Sequence, residues 1–124
     1  MTIAASELVE PKAKRVMDEP TYQKLAEQTL RRVEDMFKDV DTDDADYDRA
    51  GDVITFVFRD GTKCVLNTQR PTRQLWLAAR AQAWHFGYDA GTSTWVDDKG
   101  AGVELFGKLA EIARDSAGIL VSVP

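Results

Sequence analysis

From Tyr22 onward the chain repeats Leu25, Ala26, Thr29, Leu30, Val33, Met36, Phe37 and Val40 at intervals of three and four. That spacing puts them on one face of a helix. Pro20, just ahead, suits the first helical turn, where a missing backbone N–H costs nothing. The opposite face carries Lys24, Glu27, Arg31, Arg32, Glu34, Asp35, Lys38 and Asp39, with Glu34 and Lys38 spaced as an opposite-charge pair and Asp35 and Asp39 as like charges one turn apart. The period then changes from helical to alternating, over Asp46–Arg49, Val53–Phe58, Thr62–Asn67, Arg73–Ala79, Ala83–Phe86 and Thr94–Asp97. Such runs are strands. Ala50-Gly51-Asp52 and Asp60-Gly61 are the clearest turns between them, the latter a type I′ hairpin signal, so the runs predict an antiparallel meander.

Alternation assigns the strand faces. Ile54, Phe56 and Phe58 form an inward stripe beside outward Val53, Thr55 and Val57, because successive side chains point to opposite sides of a sheet. The same reading sends Cys64, Leu66, Leu75 and Leu77 inward, and Lys63, Val65, Asn67, Gln74, Trp76 and Ala78 outward. The outer face then displays Asn67, Gln69, Gln74 and Trp76, amides around one large aromatic, a composition that suits recognition. A register slipped by one residue would instead bury Trp76. After the meander, Val103, Leu105, Phe106, Leu109, Ile112 and Ala113 predict a second helix from about Gly102, with Gly118 as its C-terminal cap. The apolar tail Ile119–Val123 is placed to cover an edge of the core. Helices before and after a sheet bury their apolar sides most simply on one sheet face. The predicted fold is therefore α+β, a two-layer sandwich with the N- and C-terminal helices on one face of an antiparallel sheet and the other face in solvent.

A chain of 124 residues with 44% hydrophobic residues supports one core. Residues 1–19 mix both charge signs without the apolar run of a secretory signal; they read as a flexible extension, or as sequence added to the domain, which spans 20–124. A net charge of −5 argues against nucleic acid and anionic membrane as partners, and no apolar run is long enough for a bilayer. The sole cysteine, Cys64, cannot form an intramolecular disulfide and reads as a small buried residue in a reducing, cytoplasmic setting.

Asp39 to Asp48 places six acids in ten residues with no Lys or Arg among them. Their mutual repulsion calls for a cation or a basic partner, and carboxylate oxygens suit hard cations. A solvated acidic linker is the plainer reading. An EF-hand loop is excluded because its glycine at loop position six and its closing glutamate are missing. His85 is the only histidine, which rules out a histidine-based metal cage; alternation puts it outward, with Trp84 and Phe86 inward. Trp95 fits core or surface equally. Nothing resembles a phosphate loop, a nucleophile elbow or a cysteine-rich site.

Taken in order, an acidic first helix, an acidic strand edge, the Asp-Gly hairpin, Asn67-x-Gln69-x-Pro71-x-x-Gln74-x-Trp76-Leu77-Ala78, His85-Phe86, Trp95 and a closing helix resemble the frataxin family, specifically its bacterial members. The resemblance runs from about Tyr22 to Ala117. It implies weak binding of iron, Fe²⁺ or Fe³⁺, at a surface ridge made of Glu34, Asp35, Asp39, Asp41, Asp43, Asp44, Asp46 and Asp48, with Glu27 peripheral. It also implies a non-catalytic role as regulator or iron donor in iron-sulfur cluster assembly, through contact of Asn67, Gln69, Gln74 and Trp76 with the cysteine desulfurase and the scaffold protein. The expected state is a monomer, with iron-dependent oligomers as the alternative. Lys38, in the ridge where an acid is common, and Gln23, where some bacterial members have His, depart from the pattern. The rival functional class is an iron-oxidising storage enzyme, and a third is an interaction module whose acids only dock a basic partner.

Overall fold

The computed structural model describes residues 17–100 and 102–124. Helix α1, Glu19–Phe37, starts one residue before Pro20 because Asp18 caps it, its carboxylate accepting from the Thr21 N–H at 2.9 Å. Met17 is partly buried against the core, so the folded part begins within the segment expected to be a flexible extension; residues 1–16 lie outside the described residues. The helix ends at Phe37, short of the expected Val40, which instead turns back with its N–H on the Phe37 carbonyl at 3.1 Å.

Six strands follow in chain order as an antiparallel meander: β1 Ala45–Ala50, β2 Val53–Phe58, β3 Lys63–Gln69, β4 Gln74–Ala79, β5 Gln82–Asp89 and β6 Thr94–Asp97. One turn differs from expectation, and another forms without a glycine or asparagine to mark it. Only Gly61, at φ +88°, has positive φ in the β2–β3 loop, whereas a type I′ turn needs two such residues. Its hydrogen bonds, Gly61 N–H to Phe58 O at 2.8 Å and Phe58 N–H to Thr62 O at 2.9 Å, close a three-residue loop ending in an αL glycine. The two-residue turn with both residues at positive φ is Arg80 (53°) and Ala81 (64°), between β4 and β5. Neither residue type favours that conformation. Arg80 compensates by bonding Ser116 on the second helix and sitting 3.5 Å from Asp60. Arg73, expected to open β4, is instead the αL residue that ends a 3-10 turn over Arg70–Thr72.

Helix α2, Leu105–Ala117, is capped by the Glu104 carboxylate, which accepts from Phe106 and Gly107 N–H at 3.0 Å each, and closed by Gly118 at φ +66°. Both helices cover the sheet face that carries Ile54, Phe56, Phe58, Cys64, Leu66, Leu75, Leu77, Phe86 and Trp95, the two-layer sandwich expected. Phe37 of α1 packs on Phe56, with ring centroids 4.7 Å apart, and Thr29 accepts from the Trp95 indole at 2.8 Å. Trp95 is thereby a core residue. Leu75 and Leu77 are both fully buried, and each such side chain contributes about 1.5–3 kcal/mol of hydrophobic stabilisation. Ile119 and Val121 of the tail pack against the core, while Leu120 stays exposed. Among the described residues no helix is long and apolar enough to cross a membrane.

Candidate functional site

The acidic ridge starts at the C-terminal half of α1, crosses the Asp41–Asp44 turn and runs along β1. Asp41 organises the turn: its carboxylate accepts from Asp43 N–H at 2.9 Å, and its carbonyl from Asp44 and Ala45 N–H at 2.9 and 3.0 Å. Along β1 alternation divides the side chains. Tyr47 and Arg49 face the helices, and Asp46 and Asp48 face the open side of the sheet. Charges on an edge strand also discourage pairing with another sheet.

The eight predicted ridge acids are not equivalent. Asp35, Asp39, Asp41, Asp43, Asp46 and Asp48 are exposed and make no ion pair among the described residues. Glu34 and Asp44 are already engaged. Arg49 donates to Glu34 at 2.9 Å and to Glu27 at 2.6 Å, and Arg59 pairs with Asp44. The expected Glu34–Lys38 pair is replaced by this link, because Arg49 points inward from β1 and crosses to α1. Hydrogen bonds from Arg49 and then Arg31 hold the Glu27 carboxyl below its ordinary range. Burial, reinforced by Glu34 and Asp35, pushes the Tyr47 phenol up. Among the described residues no three His, Cys, Asp or Glu side chains converge as a metal cage. The exposed oxygens suit shared, loose coordination of hard cations, which keep much of their own water.

The open face carries the second set. Cross-strand pairing places Asp48, Thr55, Val65, Ala78 and Ala83 in one row, and Ala50, Val53, Asn67, Trp76 and His85 in the next. Asp48 and Trp76 thus occupy opposite sides of one continuous, largely uncharged surface. Trp76 is half-buried and outward while its neighbours Leu75 and Leu77 are fully buried, so the outward assignment holds and the slipped register does not. Gln69 and Gln74 are paired across β3 and β4, joined at one edge by Tyr22, whose hydroxyl donates to the Gln74 carbonyl at 2.7 Å and accepts from the Gln69 N–H at 3.1 Å. The structure adds two groups to this face. His85 stacks on Trp76, with centroids 4.1 Å apart and planes 18° apart. Asp98 accepts from the Gln74 side chain at 3.2 Å and lies 3.8 Å from His85 Nδ1. No local pattern points to Asp98, because its partner Gln74 stands 24 positions away in the chain.

Cys64 is fully buried, and desolvation pushes its thiol from 9.0 to about 12. It has neither the exposure nor the ionisation that thiol chemistry requires.

Two helices on one face of a six-stranded meander, with an acidic edge and an open face centred on an amide-ringed tryptophan, define an α/β sandwich of the frataxin type. Residues 15–119 match the frataxin-like domain, and the chain belongs to that family. An iron-sulfur cluster assembly protein CyaY from Delftia acidovorans is 38% identical over 106 residues, covering 83% of this chain and 94% of its own. The protein of the same name from Pseudoalteromonas atlantica is 34% identical over 87% of this chain and 96% of its own. Among solved structures, frataxin from Psychromonas ingrahamii superposes with a TM-score of 0.77 at 29% identity, covering 87% of this chain and 99% of that one. A trimeric yeast frataxin complexed with ferrous iron shares the fold, with a TM-score of 0.60 at 21% identity, covering 92% of this chain and 98% of that one.

Proposed function

We propose that this chain acts in iron-sulfur cluster assembly as a non-catalytic regulator or iron donor, holding iron weakly on the acidic ridge and contacting the cysteine desulfurase and its scaffold through the open sheet face. Its relatives named as iron-sulfur cluster assembly proteins support the pathway. The observation that carries the reading is the shared surface. Asp46 and Asp48 face the same side of the sheet as Trp76, so iron and a protein partner meet one continuous face. In this reading Asp35, Asp39, Asp41, Asp43, Asp46 and Asp48 supply exposed carboxylate oxygens to iron as cargo. Glu34 and Asp44 are secondary ligands that must first exchange an arginine for the metal. Asn67, Gln69 and Gln74 offer hydrogen bonds around Trp76, which supplies the apolar anchor.

The test is a ferrous iron titration followed by amide NMR, repeated with purified desulfurase and scaffold present. Iron is expected to shift the α1 end, the Asp41–Asp44 turn and β1, and the partner to broaden β3–β5. Binding of either protein that leaves Trp76 and its neighbours unperturbed would refute the partner face. Iron shifts confined to some other region would refute the ridge.

A further inference from the structure

Trp76, Gln74, Asp98 and His85 form a closed loop of contacts on the open face. The Trp76 indole N–H donates to Gln74 Oε1 at 2.9 Å, the Gln74 amide donates to Asp98 at 3.2 Å, the same Asp98 oxygen lies 3.8 Å from His85 Nδ1, and the His85 ring lies parallel to the indole. The four come from β4, β5 and the turn after β6, so the loop ties three chain segments to the orientation of one indole. We propose that His85 is a positioning residue for Trp76, and that its proton locks the indole in one orientation on the open face.

The physical case rests on what a proton adds at that point. A neutral imidazole stacks on the indole as one aromatic ring on another, with no net charge in the contact. An imidazolium adds attraction to the negative face of the indole and an ionic contact to Asp98, the residue that also holds Gln74. Imidazole is the side chain whose ordinary titration falls between about pH 5 and 8. Across from it on β4 stands Trp76, Ala83 and Gly87 share its face on its own strand, and Asp98 follows β6, while the core that the helices cover lies on the other face. Asp97, turned to the core side, accepts from the His85 backbone N–H at 3.1 Å, and Asp98 donates its backbone N–H to the His85 carbonyl at 2.8 Å. His85 is thus held at both backbone groups while its ring stays partly open to solvent.

A locked indole is a pre-organised anchor, so partner binding is tighter when His85 is charged; this consequence rests on the partner face proposed above, whereas the lock itself does not. The experiment follows the indole N–H signals of the ¹⁵N-labelled full chain from about pH 8 to about pH 5, the range of imidazole titration, with Trp76→Phe assigning the Trp76 signal. The Trp76 indole is expected to shift as a one-proton sigmoid that disappears in His85→Gln. The Trp95 indole, bonded to Thr29 in the core, serves as the fixed internal reference. Gln74→Ala should keep the sigmoid and speed exchange of the Trp76 N–H with solvent. A flat Trp76 signal in the wild type, or an unchanged sigmoid in His85→Gln, overturns the proposal. Affinity for the desulfurase–scaffold complex is expected to be roughly two- to fivefold higher at the acid end, the equilibrium equivalent of an exposed cation–π contact, and pH-independent in His85→Gln. Equal wild-type affinities across the range overturn the link to binding. A sigmoid without any partner binding would leave the lock standing and sink the partner reading.

Discussion

Glu34 accepts a hydrogen bond from the Arg49 guanidinium at 2.9 Å, across the gap between α1 and β1. That contact occupies one of the ridge acids and joins the edge strand to the helix layer. The Arg49 side chain is only 19% exposed and bonds Glu27 as well, so it lies between a surface ion pair and a buried one. Arg49→Ala is expected to cost about 1–2 kcal/mol in urea melts, discounted from the buried-pair range for solvent screening. The same variant frees two carboxylates and is expected to raise the affinity of the ridge for Co²⁺ or Fe²⁺ in calorimetry. A loss of stability with unchanged metal affinity would mean that Glu34 and Glu27 are no part of the metal surface.

Neutralising the exposed acids should act in the opposite sense. Replacing Asp39, Asp41, Asp46 and Asp48 by Asn relieves repulsion among unpaired carboxylates, so stability is expected to stay level or rise while iron binding falls. Asp44→Asn belongs outside this set, because it breaks the pair with Arg59 and is expected to lower stability. Partner affinity should weaken with salt, since exposed charges are screened over about 10 Å at 0.1 M. Thermal melts, iron titrations and a salt series on the desulfurase complex check the three expectations. A marked fall in melting temperature for the four-site variant would mean that those carboxylates support the fold.

Cys64 is expected to be silent in the native state and to respond at alkaline pH. Its folded thiol is held at about 12 against an ordinary value of 9.0. Below pH 9.0 both the folded and unfolded chains keep the proton, so its contribution is complete. As pH rises above that, the unfolded thiol ionises first and this contribution is lost progressively. Cys64→Ala should therefore flatten the alkaline decline in stability relative to wild type, whatever its fixed cost from the lost sulfur. A thiol reagent should label wild type only after urea unfolding; rapid labelling of the native protein would contradict the burial.

What was legible in the sequence is what local physics repeats. The three-and-four spacing from Tyr22 to Phe37 and the alternation around Leu75-Trp76-Leu77 each follow from backbone geometry, and both faces came out as read. What escaped depended on distant residues. The β4–β5 turn at Arg80-Ala81 carries no glycine or asparagine, and its support comes from Ser116, 36 positions along the chain. Asp60-Gly61 did mark a hairpin, but the neighbouring strands chose a three-residue loop over the two-residue form. The ridge was legible as a density of acids and not as a division of labour, since the arginines that claim Glu34 and Asp44 stand 15 residues downstream of each. Asp98 reaches Gln74 across 24 positions, a contact no local pattern encodes.

The face assignment itself yields the sharpest test, because adjacent residues should fail in opposite ways. Leu77 is fully buried between sheet and helices, and Leu77→Ala is expected to cost about 2–5 kcal/mol by opening a cavity. Trp76 is half-buried on the open face, so Trp76→Ala should cost much less than the ~3–5 kcal/mol of an emptied core tryptophan site. What Trp76→Ala removes is a stacking partner of His85 and the proposed anchor of the partner face. Binding to the desulfurase–scaffold complex should accordingly weaken by about 2 kcal/mol or more, the range of a central interface residue. Urea melts of both variants, each paired with calorimetry against the complex at a temperature where both are folded, separate the two effects. If Trp76→Ala binds like wild type, the anchor lies elsewhere on the open face, and Asn67 and Gln74 become the next residues to replace.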